Sequence, residues 1–162
     1  MLNIHKRDCL MAHINPREEN HGDEELIAFD IKLTDIMLSA MEIGALMENP
    51  RQHELWFNTG VIPAVPITDK LEPYKHHAKV EGANVTLFIG LGDKQFKFAD
   101  VKLKGITFEP MVGGLTAMSC KVQVLPTLNG DTGELMATMG KSLHVEISVD
   151  GYGDQAQLPL AA

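Results

Sequence analysis

Apolar and polar side chains alternate through the stretch Leu26-Ile27-Ala28-Phe29-Asp30-Ile31-Lys32-Leu33. A period of two residues is that of a β-strand with one face against a core and the other in water. The same period returns near the end of the chain, where Leu143, Val145, Ile147 and Val149 alternate with polar residues. These two stretches predict a protein that is mainly β.

Between these two stretches, and before the first, short apolar runs are separated by turns that contain glycine, proline or acidic residues. The further strands predicted in this way cover about residues 9–15, 85–89, 95–103, 105–109 and 115–125, and the final strand covers 142–149. Short strands at such spacing favour an antiparallel β-sandwich or a barrel-like sheet. The predicted class is mainly β, or α+β with few helices.

One or two short helices are expected beside the sheet. Ser39 and Glu42 have the spacing of a capping box, and Asn49-Pro50 ends the helix that would follow. A second helical turn is predicted over residues 134–139. Prolines at 63, 66 and 73 predict irregular or edge structure around Trp56 and Phe57.

The chain has no composition shift or linker, so residues 1–162 are expected to form a single β-rich domain. Residues 16–25 contain proline, glycine and a dense acidic run, which predicts an exposed loop or hairpin tip. The carboxylates of this acidic loop belong to Glu18, Glu19, Asp23, Glu24 and Glu25. The tail from about residue 151 is expected to be frayed.

The net charge is −8, from 22 acidic residues against 14 Lys and Arg. Phosphate binding depends on clustered cations, so nucleic acid is not the expected partner of an acidic chain. The local exception is residues 94–104, where Lys94, Lys97, Lys102 and Lys104 are interleaved with Phe96 and Phe98. Such a strand either points its phenylalanines into the core or stacks them on a single-stranded nucleic acid.

The two cysteines, Cys9 and Cys120, do not form the framework of a small disulfide-rich domain. We expect reduced, half-buried thiols, with a disulfide between them as the alternative. The chain begins without an apolar run of the signal-peptide kind and has no stretch long enough to span a membrane. The expected location is the cytoplasm, with no membrane partner.

No catalytic, cofactor-binding or metal-binding residue is predicted. His76 and His77 are adjacent and would point to opposite faces of a strand, and His53 lacks the second histidine of a zinc-protease helix. Neither cysteine lies in a nucleophile motif, and the glycine pairs near residues 90 and 113 read as turns. We expect a protein that is not an enzyme and carries no cofactor.

Two stretches, residues 17–24 and 28–32, resemble parts of small uncharacterised proteins encoded by bacteriophages. Gly113-Gly114-Leu115 and Gly133-Glu134-Leu135 are similar in placement. The resemblance covers most of the chain, and it implies a protein made in the cytoplasm of a bacterial host. Small phage proteins without catalytic motifs often act by occupying a host surface.

The leading hypothesis is therefore a non-enzymatic binding protein that inhibits a bacterial defence system, in the manner of an anti-CRISPR protein. Its partner would be a host protein or ribonucleoprotein complex with a basic surface. The predicted contact residues are the five acids of the acidic loop together with Trp56 and Phe57. The alternatives are an accessory single-stranded nucleic-acid-binding protein of phage replication or recombination, and a self-assembling phage structural component. A homodimer is left open as a further partner.

Overall fold

The computed structural model describes residues 2–21, 24–67, 73–77, 79–90, 94–125 and 132–150. The described residues form nine strands and three short helices. The strands are β1 (Leu2–His21), β2 (Glu24–Leu38), β3 (Phe57–Asn58), β4 (Val65–Pro66), β5 (Tyr74–Lys75), β6 (Val80–Phe88), β7 (Gln95–Pro110), β8 (Thr116–Val124) and β9 (Ser142–Val149). The helices are α1 (Ala40–Leu46), α2 (Gln52–Trp56) and α3 (Thr132–Ala137).

Six long strands form one antiparallel sheet that closes on itself. The order is β7-β6-β9-β1-β2-β8, and β8 pairs in turn with β7. The short strand β5 adds to β7 beyond the end of β6, while β3 and β4 form a separate two-stranded ribbon. The prediction of a mainly β protein with an antiparallel sheet is confirmed, and the closure makes the sheet barrel-like.

The long strands bend around this closed sheet at bulges. Five residues at these bulges have positive φ angles: Lys6 (30°), Asp35 (61°), Asp100 (53°), Gly82 (70°) and Gly105 (56°). All five lie at or next to shifts in strand register. A bulge inserts one residue and turns the strand, so the side chains on either side of it still point inward. Because of this, β1 keeps a core-facing side from Leu2 to Ile14 across two shifts in register.

The helix predicted from Ser39 and Glu42 is present as α1, and its capping box is complete. The Glu42 side chain also accepts two hydrogen bonds from Arg7, at 3.1 and 3.2 Å, which ties the helix to β1. Ile43 and Leu46 join the core. The second predicted helical turn is α3, whereas α2 was not predicted, because its five residues lie in a stretch interrupted by prolines.

The loop or hairpin tip predicted at residues 16–25 belongs to the β1–β2 hairpin, and the prediction of a loop over all ten residues is wrong. β1 continues to His21 and β2 begins at Glu24, with Glu18 paired to Ile27 and Glu19 paired to Leu26. Cross-strand pairing therefore holds most of this acidic run in an extended β-hairpin, despite its polar composition. The predicted frayed tail from residue 151 lies outside the described residues.

Candidate anion-binding face

A cleft opens where β8 ends. The pairing of β8 with β2 stops at Phe29 and Val124, and its pairing with β7 stops at Lys102 and Gln123. Beyond these points the hairpin end, residues 16–21 and 24–28, separates from the first half of β7, which among the described residues pairs only with β6. We call the space between them the hairpin cleft. Its volume is about 600 Å³.

Among the lining residues of the hairpin cleft that the structure describes, cations outnumber acids. The cations are Arg17, Lys97, Lys102 and Lys104, and the acids are Glu19 and Asp100. The apolar part of the wall is formed by Phe98, Val101, Val124 and Leu125. A concave site with apolar walls and convergent charges of one sign fits an anionic ligand that also has apolar surface.

Two of the four cations are held by carboxylates. Arg17 Nε donates to Asp30 Oδ1 at 2.9 Å, and the Arg17 guanidinium also contacts the Glu19 carboxylate. Lys102 pairs with Glu81 at 3.1 Å. Lys97 and Lys104 make no ion pair with any residue that the structure describes. These two ammonium groups are therefore free to bind an anion.

A line of basic residues crosses four neighbouring strands next to this cleft. His13 on β1 pairs with Lys32 on β2, Lys32 pairs with Lys121 on β8, and Lys121 pairs with Lys104 on β7. Lys32, Lys121 and His13 are exposed and Lys104 is half-buried, whereas their strand neighbours Leu33, Cys120 and Leu103 point into the core. We call these four residues the basic row.

The basic row concentrates like charges at close distance. Directly opposed residues in an antiparallel sheet have Cβ atoms about 4.5–5.5 Å apart, and like charges at such positions repel. Within the described part of the chain no carboxylate pairs with any of the four. The row therefore offers several uncompensated donors on one outer face of a protein whose net charge is −8.

The two predicted stacking aromatics are half-buried. Phe96 and Phe98 pack against the core, while Lys97 between them is exposed. This arrangement matches the interpretation of core phenylalanines with solvated lysines. Phe98 nevertheless lines the hairpin cleft, so one ring is available at its wall.

The predicted acidic contact residues differ in their exposure and in their partners. Glu18 is exposed, and it lies opposite Ile27, whose side chain is 57% exposed. Glu19 is engaged by Arg17. Glu24 and Glu25 occupy the first two positions of β2, and Asp23 lies outside the described residues.

Trp56 and Phe57 are core residues, and the prediction that they contribute to a contact surface is wrong. Their exposed fractions are 9% and 2%. Trp56 packs on Phe108 and Tyr74 with ring centroids 5.7 Å away in each case, and Phe57 stacks on the His53 ring at 4.5 Å. Trp56 ends α2 and Phe57 begins β3, and both rings point inward, so the protein surface in this region is formed by other side chains.

The cysteines and histidines have structural surroundings. Cys9 and Cys120 are free and buried, and burial raises the pKa of each thiol to about 12. His53 Nε2 lies 3.0 Å from the carbonyl oxygen of Gly114, which joins α2 to the turn before β8. Within the described ranges no group of three or more His, Cys, Asp or Glu is placed to hold a metal ion.

No protein-family model, no curated protein and no solved structure matches this chain. Among the described residues, none of the helices has the length and apolar character needed to cross a membrane. The fold and the face therefore define the class only as a mainly β protein with a segregated basic surface.

Sequence reasoning missed Lys32, Lys121 and His13. The lysines of residues 94–104 are close in sequence and therefore visible as a cluster, whereas the basic row is assembled from four strands. The available signal was the position of each residue on the polar face of an alternating strand. Without the register between strands, that signal does not show that the four residues meet.

Proposed function

We propose that this chain is a non-enzymatic binding protein whose basic row and hairpin cleft bind single-stranded nucleic acid. The observation that carries this proposal is the pairing of Lys32, Lys121 and Lys104 across three strands with no carboxylate partner among the described residues. The resemblance to phage-encoded proteins supports a role as an accessory protein of phage replication or recombination.

Electrostatics favours a phosphate chain as the ligand. Opposed lysines repel one another in the free protein, and a phosphate between them converts that repulsion into attraction. Lysines that neutralise phosphates also release condensed counterions, which adds a favourable term at low salt. The net charge of −8 repels nucleic acid elsewhere on the molecule, so binding is confined to this face.

The hairpin cleft also suits the bases. Phe98 and Leu125 supply apolar surface next to Lys97 and Lys104, and Leu125 is 47% exposed. Proteins that bind single strands without sequence preference combine a cationic groove with rings on which bases stack. A half-buried Phe98 offers one such contact, which predicts weak sequence preference and an affinity set mainly by phosphate contacts.

The test is the binding of a fluorescently labelled oligothymidylate, measured by anisotropy over a series of salt concentrations. The wild-type protein is expected to bind at low salt and to lose affinity linearly on a log–log plot. Lys104→Glu and Lys121→Glu are expected to abolish binding. Lys141→Glu is the matched control, because Lys141 is exposed and lies outside the basic row and the cleft.

Two results would reject the proposal. One is the absence of binding by the wild-type protein at low salt. The other is binding that Lys104→Glu and Lys141→Glu weaken equally, because the basic face would then have no special part in it. If heparin displaces the labelled oligonucleotide as well as an unlabelled oligonucleotide does, the ligand is a general polyanion and the proposal of a nucleic-acid ligand is rejected.

Docking on a host protein complex is the second candidate, and the hairpin end favours it. Glu18 and Ile27 are opposed across β1 and β2, and both side chains are exposed, so this end presents a carboxylate beside an apolar group. Such a surface fits a basic protein partner with an apolar contact at its centre. This hypothesis, which includes inhibition of a defence complex, now rests on the hairpin without Trp56 and Phe57.

A pull-down from a defence-proficient bacterial lysate, with and without nuclease, separates the two candidates. Recovery of one complex that resists nuclease and is lost with Glu18→Lys and Ile27→Asp supports docking. Recovery that disappears with nuclease supports nucleic-acid binding. If the hairpin variant recovers the same complex as the wild-type protein, docking through the hairpin is rejected.

A further inference from the structure

A second cationic cleft lies on the other side of Lys104. Its volume is about 460 Å³, and it is lined by residues 75–77, 79 and 104–107. The short strand β5 forms one wall, where Lys75 pairs with Thr107 of β7. The bulge at Gly105 forms part of the other. We call this space the histidine cleft.

The charged side chains that the described residues contribute to the histidine cleft are all basic. Its lining contains Lys75, Lys79 and Lys104 together with His76 and His77, and no carboxylate among the described residues lines it. None of the three lysines makes an ion pair within the described part of the chain. The hairpin cleft, by comparison, contains two acids.

The two histidines differ in what they offer a ligand. His76 Nε2 is enclosed and has no hydrogen-bond partner among the described residues, and its ring lies 6.1 Å from the Phe108 ring. Burial lowers the pKa of His76, which disfavours the charged form of this imidazole. His77 is exposed. The ligand contacts of this cleft are therefore the three ammonium groups and the His77 ring.

Lys104 lines both clefts, so they lie next to each other. Along β7 the path runs from Lys97 in the hairpin cleft to Thr107 in the histidine cleft. These ten residue steps span at most about 33 Å, and the bulges at Asp100 and Gly105 shorten that distance. A site of this length suits a chain of several nucleotides, since single-strand sites cover roughly 4–16 nucleotides.

We propose that a single-stranded nucleic acid passes from the hairpin cleft over Lys104 into the histidine cleft, where Lys75 and Lys79 bind its phosphates. This inference rests on the proposed function and extends its site to a surface that sequence reasoning did not connect. Lys104 is then the central contact of the path, and Lys75 and Lys79 set its length.

The test compares oligothymidylates of about 4 and about 16 nucleotides, the limits of typical site sizes. With the wild-type protein, affinity is expected to rise with length. The double variant Lys75→Gln/Lys79→Gln is expected to lose most of this rise. Its log–log salt slope for the long oligonucleotide should fall by about 1.4, because each phosphate contact on a single strand contributes about 0.7.

In direct terms, raising the salt from about 50 to about 200 mM should weaken binding about sevenfold less in the double variant than in the wild-type protein. Lys141→Gln is the control, and unchanged circular dichroism verifies the fold of each variant. An unaltered length dependence and slope in the double variant overturns the extended path while leaving the proposed function intact. No binding of either oligonucleotide by the wild-type protein overturns both.

Discussion

Lys104 on β7 lies directly opposite Lys121 on β8, and Lys121 lies opposite Lys32 on β2. Two successive like-charge pairs on one face work against the sheet that holds them. Directly opposed pairs change stability by roughly 0.2–1 kcal/mol each, and the sign is unfavourable for equal charges. The free protein is therefore strained at the surface that the proposal assigns to binding, and a bound phosphate would relieve this strain.

Replacing the middle lysine should stabilise the free protein. Lys121→Gln removes both repulsive pairs, so its free energy of unfolding at low salt is expected to rise by about 0.5–1 kcal/mol. The gain should shrink with added salt, because screening weakens the repulsion. Urea denaturation at two ionic strengths measures this. Lys141→Gln should show no gain, and an equal gain in both variants would contradict the argument.

The burial of Trp56 predicts that replacing it destabilises the protein far more than replacing its neighbour Leu55. Trp56→Ala removes a ring from the core and is expected to cost about 3–5 kcal/mol. Leu55→Ala, at a side chain that is 61% exposed on the same helix, should change stability by about 0.5 kcal/mol or less. Denaturant unfolding gives both values. Similar small effects in the two variants would show that the Trp56 ring is not in the core.

Glu42 is expected to stabilise the protein through two elements at once. Its carboxylate accepts from the Ser39 backbone N–H at 2.8 Å and from Arg7 at 3.1 Å. Glu42→Gln removes the charge from these hydrogen bonds. Because Arg7 is partly exposed, the free energy of unfolding should fall by only about 1.5 kcal/mol. Glu54→Gln is the control, because its pair with Arg51 is solvent-exposed and worth little. Equal losses in the two variants would be inconsistent with a structural role for Glu42.

The buried thiols predict a loss of stability at high pH. Burial raises the pKa of Cys9 and of Cys120 from 9.0 to about 12, so the unfolded chain releases these protons first. The stabilisation is complete below about pH 9 and is lost as pH rises toward about 12, at about 1.4 kcal/mol per pH unit for each thiol. Unfolding free energies between these pH values measure the slope. Cys9→Ala/Cys120→Ala should show a shallower decline, and parallel curves would contradict the assignment.

The sequence predicted those features whose signal is local. The capping box needs only Ser39 and Glu42, and β9 keeps an unbroken period of two, so both are found where they were expected. In β1 the buried positions change from Leu2 and Ile4 to Cys9 and Met11, because a bulge near Lys6 shifts the phase. A pattern search that requires constant phase therefore finds only a fragment of the strand.

The basic row and the burial of Trp56 depend on contacts between distant parts of the chain. Lys32 and Lys121 are 89 positions apart and become neighbours only through the register of β2 with β8. Trp56 packs on Phe108 of β7, which is 52 positions away in the sequence. Propensity and periodicity carry no information about either contact, which is why the candidate site had to be found in the structure.

Two glycines differ in how much their backbone conformation depends on the absence of a side chain. Gly105 has a φ of +56° and no atom within 4 Å of the position where a Cβ would stand, so any cost of Gly105→Ala comes from the backbone alone. That cost should be about 1–2 kcal/mol, because an L-residue is unfavourable in the left-handed region. Gly133, in α3, is equally unobstructed, but its φ lies outside the left-handed region. Gly133→Ala should therefore stabilise the protein by up to about 1 kcal/mol. If Gly105 forms the bulge of β7, thermal or urea unfolding of the two variants should give stability changes of opposite sign. A neutral Gly105→Ala would mean that β7 turns at another residue, and the alignment of Lys102 and Lys104 with the two clefts would then have to be revised.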